Sequence, residues 1–153
     1  MKRRRGFVQL AILHLLKEES MHGYQMMKEL EHRSGGLYAA SAGTVYPALQ
    51  ELLEQEMIDL DPASEKKTYV LQEKGKERLE DFANRIEGDF WTEWEARWVW
   101  QNSDEAVQLK RAMEQWEAEV RKAMKQARKN PEKSTKLIAF LEEITERLQK
   151  ENQ

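Results

Sequence analysis

The sequence predicts a mainly α protein, α+β in class: an N-terminal winged helix-turn-helix with a small β-hairpin wing, then a C-terminal helical dimerisation region. Three observations carry that prediction. Apolar residues recur at helical spacing in three segments before residue 56. Two short strand-like runs, Met57-Ile58-Asp59-Leu60 and Thr68-Tyr69-Val70-Leu71, flank the turn signal Asp61-Pro62-Ala63-Ser64. From Glu73 onward the apolar stripes return to helical spacing. Three helices and then a hairpin is the element order of a winged helix-turn-helix.

Each element has its own reason. Phe7, Leu10, Ile12, Leu13 and Leu16 make the first helix, from about Gly6 to Lys17, apolar over much of its surface, so it belongs in a core. Ser20-Met21-His22-Gly23 breaks it. A second helix carries Tyr24, Met27 and Leu30 and stops before Gly35-Gly36. The third opens at Ser41, a good N-cap residue, and carries Leu49, Leu52 and Leu53 inward. Gly43 and Thr44 leave its first-turn amides uncovered, where the helix dipole favours a phosphate. After the hairpin, one long helix is expected to carry Leu79, Ala83, Ile86, Phe90, Trp94 and Trp98. Asn102-Ser103-Asp104 ends it and caps the next. Leu109, Met113, Trp116, Val120, Ala123 and Ala127 then alternate four and three apart, a heptad seam. Asn130-Pro131 starts a last helix carrying Leu137, Leu141, Ile144 and Leu148. The expected domains are 1–78 for the winged helix and 79–153 for the helical region.

Bulk properties bound the function. The 153 residues hold 25 Lys and Arg against 28 Asp and Glu, so the formal net charge is 25 − 28 = −3. That balance counts mildly against nucleic-acid binding, but distribution matters more than the sum. Basic side chains gather in Met1–Arg5 and at Lys66-Lys67, whereas acids spread along the later helices. There is no cysteine, hence no disulfide and no thiolate metal site. His14, His22 and His32 have no metal-ligand spacing, no Gly-rich phosphate loop occurs, and no nucleophile has an evident base partner. No enzyme, cofactor or metal is therefore expected. The apolar run after Lys2-Arg3-Arg4-Arg5 is broken by Gln9 and His14, unlike a signal peptide, and no stretch approaches the roughly 20 apolar residues of a membrane span. A soluble cytoplasmic protein is expected.

The residues resemble the PadR-type family of bacterial winged-helix transcriptional regulators. Phe7–Leu16 looks like the family's first helix, and His22-Gly23-Tyr24 like the opening of its second. Ser41-Ala42-Gly43-Thr44-Val45-Tyr46-Pro47-Ala48-Leu49 is similar, nearly residue for residue, to its recognition-helix signature. Tyr69-Val70-Leu71 with Gly75 looks like the second wing strand and the turn into helix four. The resemblance covers roughly the first half of the chain. It departs at Glu56, where the family usually has glycine, and at Gln72, where threonine is frequent.

The resemblance implies a homodimer on a pseudo-palindromic operator in double-stranded DNA, its recognition helices about 34 Å apart. Ser41, Thr44 and Tyr46 are the candidate phosphate or sugar contacts. Tyr24 either supports Tyr46 from helix two or is a core tyrosine between helices. Lys66 and Lys67 are candidate wing contacts. Arg3, Arg4 and Arg5 form either a DNA-binding arm or a solubilising terminus. Trp91, Trp94 and Trp98 fall at i, i+3 and i+7 and share a helix face. They read first as dimer core, and second as the wall of a site for a small aromatic effector, with Arg97 among them able to meet an acid. Occlusion of a promoter by a compact dimer makes repression the default. The alternative is a winged-helix adaptor that binds proteins through its helical tail and not DNA.

Overall fold

The first helix, α1 (Lys2–Glu18), is the centre of the fold. Ala11, Ile12, Leu13 and Leu15 are fully buried and Phe7, Val8 and Leu16 nearly so, which leaves α1 few solvent-facing positions past its first turn. A helix that is apolar on most sides needs neighbours on most sides. Those are α2 (Gly23–Arg33), α3 (Ala42–Glu54), α4 (Glu73–Ala83) and strand β3 (Thr68–Leu71). This computed structural model describes the backbone of residues 2–153 and the side chains of 5–153.

The wing is β2 (Ile58–Leu60) paired antiparallel with β3, with Asp59 opposite Val70. A third strand, β1 (Met21–His22), joins the other edge of β3, with Met21 opposite Tyr69. At two residues β1 has no period to read, and the sequence showed only a break there. His22 also opens α2 through a reciprocal capping box: its Nδ1 accepts from the Gln25 amide at 3.3 Å, and its own amide donates to Gln25 Oε1 at 3.1 Å.

The single long helix expected after the wing is two helices. α4 ends at Ala83, and α5 spans Phe90–Gln101. Gly88 between them sits at φ +102, a conformation open mainly to glycine, and the Asp89 carboxylate accepts from the Thr92 amide at 3.0 Å to start α5. The turn aims Phe90, Trp94 and Trp98 into the α1 core. The sequence boundary at 78/79 thus falls inside α4, and the first compact unit runs on to Asn102. The second unit, Ser103–Gln153, is a pair of helices, α6 (Asp104–Ala127) and α7 (Pro131–Glu151). The Ser103 hydroxyl accepts from the Ala106 amide, and Asn130 Oδ1 from those of Glu132 and Lys133, so both caps sit where the sequence placed them.

Glu56, at the position the family usually gives to glycine, has φ +58. It follows α3 in a left-handed C-terminal turn: the Met57 amide donates to the Leu52 carbonyl at 3.0 Å. The Glu56 carboxylate ion-pairs with Lys74 of α4.

Close approach is tightest at Gly75. A Cβ there would lie 2.4 Å from the Met57 carbonyl oxygen and 2.6 Å from Leu71 Cδ1. Gly75→Ala is therefore expected to lower stability by about 1–3 kcal/mol through overpacking, although alanine is the better helix former. Urea unfolding checks this, and a variant at least as stable as its parent contradicts the close packing.

Candidate nucleic-acid interface

Helix α3 separates cleanly into two faces. Val45, Ala48, Leu49 and Leu52 are buried, and Gly43, Thr44, Tyr46, Pro47 and Gln50 are exposed. Ser41 is the N-cap by backbone: its carbonyl accepts from the Thr44 and Val45 amides at 3.1 and 2.9 Å. The hydroxyl does not cap, contrary to the sequence expectation. It lies 3.1 Å from Thr44 Oγ1 instead, because the two hydroxyls satisfy one another at the exposed helix end. The Ala42 and Gly43 amides, which precede those two bonds, are left to an outside acceptor.

Tyr46 is 45% exposed, and its ring lies over Gly23 at the start of α2. A Cβ on Gly23 would come within 2.9–3.0 Å of the ring edge and hydroxyl. Glycine at 23 thus lets Tyr46 lie flat across the α2–α3 junction. Tyr24 is exposed too, which removes the core reading for it. Its ring stacks near His22, with Lys28 Nζ 4.8 Å from the centroid. Lys66 and Lys67 are exposed in the wing loop. Arg5 lies in the helical first turn of α1 and bonds Glu51 at 3.0 Å, so it is no free extended arm. The side chains of Arg3 and Arg4 lie outside the described residues.

The tryptophan face is core within one chain. Trp94 has no exposed surface and donates its indole N–H to the Leu30 carbonyl at 3.2 Å. Its ring stacks on Phe7 at 5.4 Å. Trp91 is half-buried, donates to Glu18 and lies under the Arg33 guanidinium at 4.3 Å. Arg97 sits 4.2 Å above the Phe7 ring. Trp98 stacks on Tyr38 at 4.4 Å and lines a cavity of about 510 Å³. Arg5, Val8, Tyr38, Gly43 and Thr44 line it as well. Among the described residues no cluster of His, Cys, Asp and Glu is placed to hold a metal ion, and no helix is long and apolar enough to cross a membrane.

The sequence model of the transcriptional regulator PadR-like family matches residues 12–81, from within α1 to near the end of α4. Across 138 residues the chain is 30% identical to the transcriptional regulator YqjI of Escherichia coli K12, covering 90% of this chain and 66% of that one. The chain belongs to the PadR-like family. Members of that family are DNA-binding transcriptional regulators, not enzymes. A transcriptional regulator from Clostridium thermocellum shares the winged-helix fold, with a TM-score of 0.51 at 24% identity over 56% of this chain and 84% of that one. Bacillus subtilis PadR in complex with operator DNA gives a TM-score of 0.45 at 23% identity, over 79% of this chain and 76% of that one.

On this PadR-like scaffold two exposed residues join the candidate face that sequence reasoning left out. Gln50 lies one turn beyond Tyr46 and bonds Glu54 at 3.0 Å, and Lys28 lies one turn beyond Tyr24. Their signal was the i, i+4 spacing from residues already singled out.

His14 is stacked on Phe90 at 4.1 Å, and its Nε2 is buried with no partner. Burial, and then the nearby Lys17, holds its pKa below the ordinary value. The folded state thus favours neutral imidazole while the unfolded chain takes up the proton first. Stability is expected to fall as pH drops below about 6.5, until the folded-state pKa is passed. Melting curves from pH 8 to 5 for the parent and His14→Phe check this. The aromatic variant should show a shallower acid-side decline, and identical slopes contradict it.

Proposed function

We propose that this PadR-like chain is a homodimeric repressor that binds a pseudo-palindromic operator in the cytoplasm through α3, and that a small aromatic or hydrophobic effector relieves the binding. The exposed face of α3 carries the reading. Thr44 and Ser41 present hydroxyls beside first-turn amides, Tyr46 presents a phenol, and Gln50 presents an amide, all at or beyond a helix N-terminus. Tyr24 and Lys28 extend the face along α2, and Lys66 and Lys67 extend it into the wing. Arg5, with Arg3 and Arg4, adds charge at the start of α1. Occlusion of a promoter by a compact dimer makes repression the simplest outcome.

The second unit supports the dimer. Neither α6 nor α7 contains a buried residue, and Leu109, Met113 and Trp116 are 64%, 51% and 40% exposed. Such a stripe marks an unmade interface, and a second copy of a heptad seam is its natural cover. The effector reading rests on the cavity beside Trp98, whose volume suits a small ligand. Trp91, Trp94 and Arg97 serve it only by holding α5 in place. A ligand wedged between α1, α5 and the start of α3 would shift the recognition helices between two settings.

Fluorescence anisotropy with the DNA upstream of the chain's own gene, at several salt concentrations beside a scrambled duplex, tests the DNA reading. Preferred binding that weakens steeply with salt is expected. Removing the Lys66 and Lys67 charges together should reduce the salt slope by about 1 for each phosphate that these lysines neutralise. Gly23→Ala should melt near the parent, because only the mobile tip of Tyr46 must move, yet weaken binding about as Tyr46→Ala does. No binding to either duplex at low salt would favour the protein-binding adaptor.

The dimer has its own check. Met113→Glu with Trp116→Glu is expected to halve the mass seen by sedimentation while the winged-helix unit stays folded. A parent that sediments as a monomer contradicts the proposal.

A further inference from the structure

One buried polar contact ties three helices of the DNA-binding module together. Gln9, on α1, is only 5% exposed, yet its side chain is an amide. Its Nε2 donates to Glu51 Oε2 of α3 at 2.6 Å. Its Oε1 accepts from Arg78 Nη1 of α4 at 3.0 Å. The other Glu51 oxygen accepts from Arg5 at 3.0 Å. Among the described residues no carboxylate lies within ion-pair distance of Arg78, and burial penalises its charge. The Gln9 amide thus bridges the Arg78 guanidinium on one side and the Glu51 carboxylate on the other.

The amide orientation follows from both charges. Its oxygen faces the cation and its NH2 faces the anion. A flipped amide would set donor against donor and acceptor against acceptor. Moving either charged group away removes the reason for the present orientation, and the remaining bond weakens with it.

We propose that Gln9 is a positioning residue for the recognition helix: its buried amide makes the setting of α3 depend on the position of Arg78 on α4. This rests on the reading of α3 as the DNA-contacting helix. Glu51 lies on the side of α3 away from DNA, one residue past Gln50, so the tie acts on the angle of the helix and touches no base. Arg78 lies on the helix that follows the wing, so the Gln9 amide gives α4 a side-chain route to α3 in addition to the Glu56–Lys74 ion pair at the end of α3.

The test exchanges the amide and the carboxylate. In the full-length protein, Gln9→Glu keeps the acceptor for Arg78 but sets a carboxylate against Glu51. Adding Glu51→Gln restores a donor–acceptor pair with the direction reversed. Operator affinity is expected to fall about tenfold in Gln9→Glu, the scale of one charge-assisted bond, and to return to within about threefold of the parent in the double variant. Affinity for an unrelated duplex at the same salt should barely change. A structural role alone would move melting temperature and both affinities together. Full affinity in Gln9→Glu, or no rescue by Glu51→Gln, overturns the proposal.

Hydrogen exchange of the α3 amides in the same proteins gives a readout that needs no DNA. Faster exchange confined to α3 in Gln9→Glu, slowed again in the double variant, supports the tie even if the parent binds no DNA. That result would sink the regulatory reading alone. Unchanged α3 exchange overturns the tie. If Gln9→Glu fails to fold, Gln9→Met with Arg78→Met replaces it: the double variant should lose no more affinity than either single one, and independent effects that multiply overturn the proposal.

Discussion

Everything in the first unit depends on α1 being apolar around most of its circumference. Ala11, Ile12, Leu13 and Leu15 have no exposed surface at all, which demands cover from several directions. At roughly 25 cal/mol per Å² of apolar surface, each of the three larger side chains, Ile12, Leu13 and Leu15, favours a covered state by about 1.5–3 kcal/mol. The covering pieces are short, since a 13-residue α3 and an 11-residue α4 have no core of their own. They are held because α1 gives each an apolar wall. The outer face of α3 is thus set by its inner one. Val45, Ala48, Leu49 and Leu52 must meet α1, so Thr44, Tyr46 and Gln50 must face out.

The aromatic residues extend the same requirement. Phe7 touches both Phe90 and Trp94, and Trp94 sends its N–H to the carbonyl of Leu30. A buried indole needs a partner for that N–H, and a backbone carbonyl on α2 supplies it. Trp94 therefore fastens α5 to α2 across the end of α1. A residue enclosed in that way has no face left for a ligand. Trp98, one turn on, stacks on Tyr38 and keeps a side on the cavity that reaches Gly43 and Thr44. One helix thus supplies both a fixed anchor and a wall next to the recognition helix.

Much of this was legible in the sequence, for identifiable reasons. The helical stripes, the wing strands and the caps at Ser103 and Asn130 are local features, fixed by spacing and side-chain chemistry, and the structure has them in place. The break at Gly88 was missed because Leu79, Phe90, Trp94 and Trp98 keep helical spacing straight through it. A stripe reports which face is apolar and says nothing of whether the backbone turns in between. The tryptophan face was readable as a packing face, but the surface it packs on is set by tertiary contact with Phe7, His14 and Leu30. Strand β1 carried no signal because two residues have no period. At Ser41 the residue type was right and the bond was not, since Thr44 competes for the same hydroxyl. Gln9 looked like an interruption of an apolar run, and only the placement of Glu51 and Arg78 shows why an amide is there.

The helical pair of the second unit follows a different rule. In α6 the apolar residues at 109, 113 and 116 stay exposed, and its ion pairs, such as Lys110–Glu114 and Arg121–Glu117, are solvated i, i+4 contacts that contribute little. Two antiparallel helices can cover only one face of each other, so a heptad seam with further apolar positions on its flanks remains part-covered in a single copy. If a second chain completes it, folding of this unit and assembly are one equilibrium. Its stability then rises with protein concentration, while that of the first unit, closed around α1, does not. The two halves would melt as separate events whose order depends on dilution. That behaviour suits a DNA-binding module whose internal geometry must stay fixed while its copies come together or part.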